Sequence, residues 1–399
     1  MERDVVLLLA SRALRSFVGG YLAVIIGLYL LDKGFTLPQI GVIFAVGSAV
    51  TPLLGTVFGY LGDRFGVKRF LLVSLSSLVV GLVLTYLSSD FFVLLVASAL
   101  SGYGIVGGLV GGGIGASAAP LFTAMVSKVV RREELNKTLV LLTAVSSYAG
   151  SLGTLLTSLD YSTLFLLGIA ISLASTIAVL PVRDVKRQDD PNVEMNKQSN
   201  RLGGTSTRKY IQIFTVTALF NGISQGLVVP FVPIIFKLYF GLSNGEIGEV
   251  YFFTGIASAT AMLFFTDRLA NALGFGRFIA VSRTISAVAA LAFPFTREIF
   301  LASALFVIFT VFRTLPLPPQ QALISSVVSE RRRGTALGLN QAVRLLLFSA
   351  STAGSSYLIP VSLVAPFAIA LVFTEASSAL YYRYFADFRP SVAGPLGLD

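Results

Sequence analysis

Residues 59–71 read Gly59-Tyr60-Leu61-Gly62-Asp63-Arg64-Phe65-Gly66-Val67-Lys68-Arg69-Phe70-Leu71. Four charges and three glycines stand here between two long apolar runs, residues 39–62 and 69–88. Each run is about twenty residues long, which is what a helix needs to cross about 30 Å of hydrocarbon. The same alternation of apolar run and short charged loop continues in both directions. The 399 residues are 55% hydrophobic and 13% charged, against about a quarter charged in ordinary soluble domains. A water-soluble chain could not bury this excess, so lipid is the expected solvent. Strict alternation of the kind a membrane barrel needs, in strands of about ten residues, is absent, and the runs read as helices.

Twelve spans follow, at about 5–31, 39–62, 69–88, 92–128, 138–159 and 162–182, then 210–238, 246–271, 277–296, 299–328, 335–359 and 361–386. The first run lacks an A-x-A cleavage site and reads as a retained span rather than a signal peptide. An even number of spans puts both termini on one side. The loops on that side carry Arg64, Lys68, Arg69, Lys128, Arg131, Arg132, Lys137, Arg268, Arg277 and Arg331–Arg333. The opposite loops carry Lys33, Lys237 and Arg297. Basic loops stay in the cytoplasm, so both termini are expected there, in a multi-pass protein of the cell membrane. The net charge of +10 reflects this topology and does not point to nucleic acid. Cysteine, histidine and tryptophan are absent, which excludes disulfides, thiol nucleophiles, histidine relays and Cys/His metal sites within this chain. No carboxylate pair and no nucleotide-binding loop is present either, so neither enzyme chemistry nor a cofactor is expected.

The chain also repeats itself. Gly34-Phe-Thr-Leu-Pro-Gln-Ile-Gly41 enters span 2, and Gly241-Leu-Ser-Asn-Gly-Glu-Ile-Gly248 enters span 8. Asp63-Arg64 closes span 2 as Asp267-Arg268 closes span 8, and the segments 120–130 and 318–328 end spans 4 and 10. Three in-order matches predict a duplicated six-span unit: a bundle over 1–182, a bundle over 209–399, and a polar cytoplasmic linker over 183–208 with too few apolar residues for a core. Parallel repeats of this kind place a substrate site at their interface near mid-membrane.

With span count and duplication in place, the opening segment resembles the signature G-x-L-a-D-r-x-G-r-k-x-x-L of the major facilitator superfamily, and the resemblance extends over essentially the whole chain. Val67 departs from it, standing where a basic residue is usual. The resemblance implies a permease of twelve helices in two pseudo-symmetric bundles, moving a small solute by alternating access. It also implies a cytoplasmic latch of Gly59, Asp63, Arg64, Gly66 and Lys68, with a degraded second copy at Asp267 and Arg268. Asp63 would cap the start of span 11 near Gly334-Thr335-Ala336, and Asp267 the start of span 5 near Asn136-Lys137-Thr138, where helix dipoles favour negative charge. Ordinary topology determinants with solvated charges are the alternative.

Polar residues inside the spans mark the candidate site, because a charge in hydrocarbon is costly unless it faces a cavity or a partner. Arg313 lies near the middle of span 10, beside Pro316, Pro318 and Pro319 and ahead of Gln320 and Gln321. Glycines 107–115 interrupt span 4 at the corresponding place, and paired breaks point to a site. Thr217, Asn221 and Ser224, with Gln225 alongside, form a polar stripe on span 7. Arg12 is expected to snorkel to the interface, whereas Arg15 is a deeper cavity candidate. Glu375 is the one deep carboxylate, a candidate for an ion pair with Arg313 or for proton coupling. Ser146–Gly153 in span 5 lacks the proline of the antiporter element, which weakens a drug-antiport reading.

The sequence thus leaves three functions open: a permease for anionic or polar solutes, proton-coupled efflux of amphipathic compounds, and, remotely, a non-transporting sensor or scaffold. The expected partners are a small-molecule substrate, the bilayer and, under the second reading, protons, with the chain acting as a monomer.

Overall fold

The computed structural model describes residues 2–104, 118–130, 134–183, 204–328, 330–386 and 388. Its elements are α1 (Glu2–Asp32), α2 (Leu37–Phe65), α3 (Val67–Leu87), α4 (Phe91–Ser101), α5 (Ala118–Val129), α6 (Leu135–Thr154) and α7 (Tyr161–Val179). Then come α8 (Gly204–Val228), α9 (Val232–Phe240), α10 (Asn244–Leu273), α11 (Phe275–Ala292), α12 (Ile299–Thr314), α13 (Leu317–Val327), α14 (Glu330–Leu358) and α15 (Val364–Phe385). Among the described residues, ten helical stretches are long and apolar enough to cross a membrane. The two remaining runs of the sequence correspond to α14, which is long but more polar, and to the shorter apolar pair α4 and α5. The glycine-rich centre of span 4 and nearly all of the linker, residues 184–203, lie outside the described residues.

Local chemistry sets the boundaries. Asp90 caps α4 by accepting from the backbone N–H groups of Phe92 and Val93 at 2.9 and 3.1 Å. Asp160 caps α7 in the same way through Thr163 N–H at 2.8 Å. The repeated entry segments fold alike. Gly34 and Gly241 both adopt positive φ, at 86° and 67°. Two residues on, Gln39 Oε1 accepts from Thr36 N–H at 2.9 Å, and Glu246 Oε2 from Ser243 N–H at 2.8 Å. Prolines interrupt two spans. Pro316 separates α12 from α13 where the sequence predicts a break, and a turn of 3₁₀ helix at Val229–Phe231 separates α8 from α9.

The apolar surface is distributed as lipid requires. Phe300 is 90% exposed and Val361 85%, placements that would drive aggregation in water but suit a hydrocarbon solvent. Inside, the largest core joins α1 and α2 to α9, α10 and α12 through Val24, Ile25, Phe44, Phe231, Ile234 and Phe306. It lies at the end of the molecule away from the basic loops. At the basic end the cores are separate: Leu8, Leu71, Phe122 and Met125 form one, and Phe214, Ile279, Leu323 and Tyr381 another.

The early and late helices therefore meet chiefly at one end. Ser349 Oγ of α14 donates to the Ala45 carbonyl of α2 at 2.7 Å, and Thr154 Oγ1 of α6 to the Gly248 carbonyl of α10 at 2.9 Å. Glycine allows both approaches, since a Cβ on Gly41 would overlap Ser356 and one on Gly248 would overlap Thr157 and the Thr154 carbonyl. A polar cluster covers this end. Lys237 Nζ donates to both Asp32 oxygens at 2.7 Å, Tyr161 OH to Asp32 Oδ2 at 2.6 Å, and Asn244 Nδ2 to Tyr161 OH at 3.0 Å. Towards the basic end, Gly59 of α2 and Gly338 of α14 have nothing within 4 Å of a Cβ position.

Candidate functional site

A small cavity of about 30 Å³ lies among α8, α11, α12, α13 and α15. Its polar wall is built from Asn221, Ser224 and Gln225 on α8, Arg283 and Ser286 on α11, and Arg313 on α12. The stripe on span 7 thus reaches a cavity with three of its members. Thr217 turns instead to the Phe214 carbonyl at 2.9 Å and Tyr381 OH at 3.4 Å.

Hydrogen bonds and aromatic rings hold the cations here. Arg283 is 5% exposed; its guanidinium donates to Ser377 Oγ, donates to Gln320 Oε1 at 2.8 Å, and lies over the Tyr381 ring at 4.7 Å. Arg344 of α14 donates to Gln225 Oε1 at 3.3 Å and to Gln341 Oε1 at 2.9 Å. Gln225 in turn donates to Asn221 Oδ1 at 2.8 Å. Arg313 lies over the Phe309 ring at 5.5 Å. Its charge acts on that of Arg344, and the charge of Arg283 acts on Arg344. Arg283 and Arg313 thus line the cavity, and Arg344 reaches its wall through Gln225.

Glu375 is engaged on α11. Its Oε2 accepts from Thr284 Oγ1 at 2.9 Å, and its Oε1 is buried without a hydrogen-bond partner among the described residues. The ion pairs among the described residues join Arg3 to Asp4 and Lys237 to Asp32. The reason lies in helix rotation: Glu375 faces α11, whereas Thr374, one residue earlier, faces Ser224 of α8 at 2.6 Å.

The other predicted residues are spread more widely. Gln320 is held by Arg283 behind the cavity wall, and Gln321 is exposed. Arg15 is buried on α1 in the other half of the chain, with its Nε unpartnered among the described residues. Arg12 does not snorkel; its Nε donates to Ser146 Oγ at 2.9 Å and its guanidinium lies over Phe122 at 5.6 Å. Arg283 was not singled out from the sequence, although a cation in the seventh position of span 9 is a signal of the same kind as Arg313.

In the loop after α2, Gly66 takes φ 107° and its N–H donates to the Gly62 carbonyl at 2.9 Å. Lys68 Nζ donates to the Leu180 carbonyl at 2.6 Å, at the C-terminal end of α7, where a cation suits the helix dipole. Val67 is 1% exposed within the core of Leu71 and Phe122, so the departure from the family pattern fills an apolar contact that a basic residue would leave. Arg64, Asp267 and Arg268 are exposed. The side chains of Asp63, Asn136 and residues 330–335, through which both latch contacts would run, lie outside the described residues.

Taken together, the all-helical fold, the lipid-facing apolar surface and the polar interior define a multi-pass membrane protein with a small polar cavity among its spans. The family model of the Major Facilitator Superfamily matches residues 8–352 and, in a second match, residues 214–395. The chain belongs to this superfamily of membrane transporters. Among solved structures it is similar to the human organic anion transporter MFSD10 (TETRAN), with a TM-score of 0.65 and 14% identity, covering 96% of this chain and 98% of that one. That likeness concerns the fold. A search of curated proteins returned no match.

Proposed function

We propose that this permease carries anionic solutes across the cell membrane by rocking two six-helix halves, residues 1–182 and 209–399, with the polar cavity of the second half contributing the charge that draws the solute. The observation that carries the reading is the interior charge. Arg283 and Arg313 line one cavity and Arg344 donates to Gln225 of its wall, while the one deep carboxylate, Glu375, is hydrogen-bonded to a threonine. Arg283 is 5% exposed and is held by the neutral Ser377, Gln320 and Tyr381, so an anionic solute would gain from its charge in a low-dielectric surrounding. The likeness of the fold to that of MFSD10, an organic anion transporter, supports the same class. Contacts concentrated at the end away from the basic loops support a resting form open towards the cytoplasm, with both termini and the basic loops on that side. The Asp63 latch would then form in the opposite state.

A second reading keeps Glu375 as a proton carrier in efflux of amphipathic compounds, favoured by its half-buried carboxylate with one unpartnered oxygen. A thermal-shift screen against anionic, cationic and neutral solutes separates the two, with Arg313→Ala in parallel. A ligand at about 100 times its Kd adds about 2.7 kcal/mol of stability. Stabilisation by anions that disappears in Arg313→Ala is the expected result. Stabilisation by lipophilic cations that ignores Arg313 would move efflux to first place.

A further inference from the structure

The polar cavity of the second half is too small for an organic solute but not for an ion. At about 30 Å³ it has room for about two water molecules, and a halide ion is only slightly larger than one. Among the described residues that line it, Arg283 and Arg313 are cationic and none is acidic. Arg283 is buried, and its Nη1 and Nη2 each donate once, to Ser377 Oγ and to Gln320 Oε1, which leaves N–H groups over. The order of hydrogen bonds along the wall supplies a further donor. Arg344 can only donate, so Gln225 presents Oε1 to it, at 3.3 Å. The amide nitrogen of Gln225 then faces Asn221, which presents Oδ1, at 2.8 Å. Asn221 Nδ2 ends this relay on a side chain that lines the cavity, and it has no hydrogen-bond partner among the described residues. The hydroxyls of the wall are already committed. Ser286 donates to the Phe309 carbonyl and Thr374 to the Ala370 carbonyl, both at 2.8 Å, so Ser224 donates to Thr374 at 2.6 Å.

We infer that this cavity is a binding site for a monatomic monovalent anion, chloride under ordinary conditions, held by Arg283, Arg313 and the Asn221 amide. The inference rests on the anion reading above, with which it shares its cations, and adds a ligand of defined size and a further residue. Water could accept from the same N–H groups but would bring no charge. A halide does both, and as a sphere it accepts from any direction. The rest of the wall is apolar, with Val228, Ala290 and Phe309, so little water screens the attraction between ion and guanidinium. The ion must shed its hydration shell to enter. Arg283 has already given up its own water on folding and is oriented by neutral partners, so the attraction at short range offsets that loss.

The test uses the full-length protein in lipid nanodiscs, exchanges chloride for gluconate at constant ionic strength, and reads thermal unfolding. For a single site, each tenfold rise in chloride above its Kd shifts the folding equilibrium about tenfold. The midpoint is expected to climb with chloride and with bromide, and to stay flat in gluconate, which is too large for the cavity. Asn221→Asp keeps the oxygen that Gln225 binds, removes the amide donor and fixes a negative charge at the wall. That variant should be as stable without chloride as the chloride-saturated protein, and should not respond to the ion. Arg283→Gln should weaken chloride binding at least roughly tenfold; where it does not fold, Asn221→Asp still decides. Equal midpoints in chloride and gluconate would overturn the inference, because water alone would then fill the cavity. An undiminished chloride response in a folded Asn221→Asp protein would do the same, because the ion would be acting elsewhere. In either case, stabilisation by organic anions that is lost in Arg313→Ala would leave the anion reading standing, and its absence would remove both.

Discussion

Replacing Gly248 by alanine should open the molecule at the end away from the basic loops. The added Cβ would overlap both Thr157 Oγ1 and the Thr154 carbonyl. The hydroxyl can rotate away, but the carbonyl is backbone, in the last turn of α6. That group is also where α6 and α10 hold each other through Thr154 Oγ1 and the Gly248 carbonyl, at 2.9 Å. The helices must therefore separate, and overpacking of this kind costs about 1–3 kcal/mol. Because the contact joins the two halves of the chain, the cost falls on the state in which this end is closed. A two-state equilibrium would move by about 5-fold to about 150-fold towards the opposite state. The chain has no cysteine, so a single cysteine can report the change without background. Ile235, 1% exposed within the shared core, is a suitable position. Its labelling by a membrane-impermeant maleimide should accelerate by that factor in Gly248→Ala. An unchanged rate in a folded protein would refute the argument that this contact keeps the end shut.

Two further substitutions probe the ends of the molecule. Asp32→Asn removes the anion that holds Lys237, but the two side chains are 39% and 27% exposed, so the pair is worth less than about 1 kcal/mol and is screened by salt. The same cysteine should label at most about fivefold faster, and raising the ionic strength should shrink the difference; a larger, salt-independent gain would mean that Asp32 acts through its hydrogen bond from Tyr161 instead. Asp63→Asn should leave the protein inserted and folded while slowing transport strongly, measured as uptake into vesicles, and an unchanged rate would end the latch reading.

The helical architecture was legible because its determinants are local. Apolar run length, the prolines of span 10 and the repeated entry segments 34–41 and 241–248 act within a turn or two of their own positions, and the structure has helices, a break and like-folded helix starts there. The break at Val229–Phe231 passed unnoticed although Pro230 and Pro233 mark it, since the run stays apolar throughout and hydropathy alone is blind to backbone. At the candidate site the legible part was residue type. Arg313, Asn221 and Gln225 were picked out as polar groups in apolar spans, and the structure gathers them around one cavity. Arg12 was misjudged because depth in a span does not reveal that Ser146 and Phe122 lie beside it.

By itself, then, the sequence determined a multi-pass helical membrane chain with a duplicated pattern and the family to which it belongs, because hydrophobic length, loop charge and a short motif are written along the chain. Tertiary structure alone decided that Arg283 joins Arg313 at one cavity and that Glu375 binds Thr284. Those outcomes depend on how each helix is rotated and how closely it approaches its neighbours. A turn of about 100° per residue sends Thr374 towards α8 and Glu375 towards α11, and that rotation is set by packing contacts made between residues far apart in the chain.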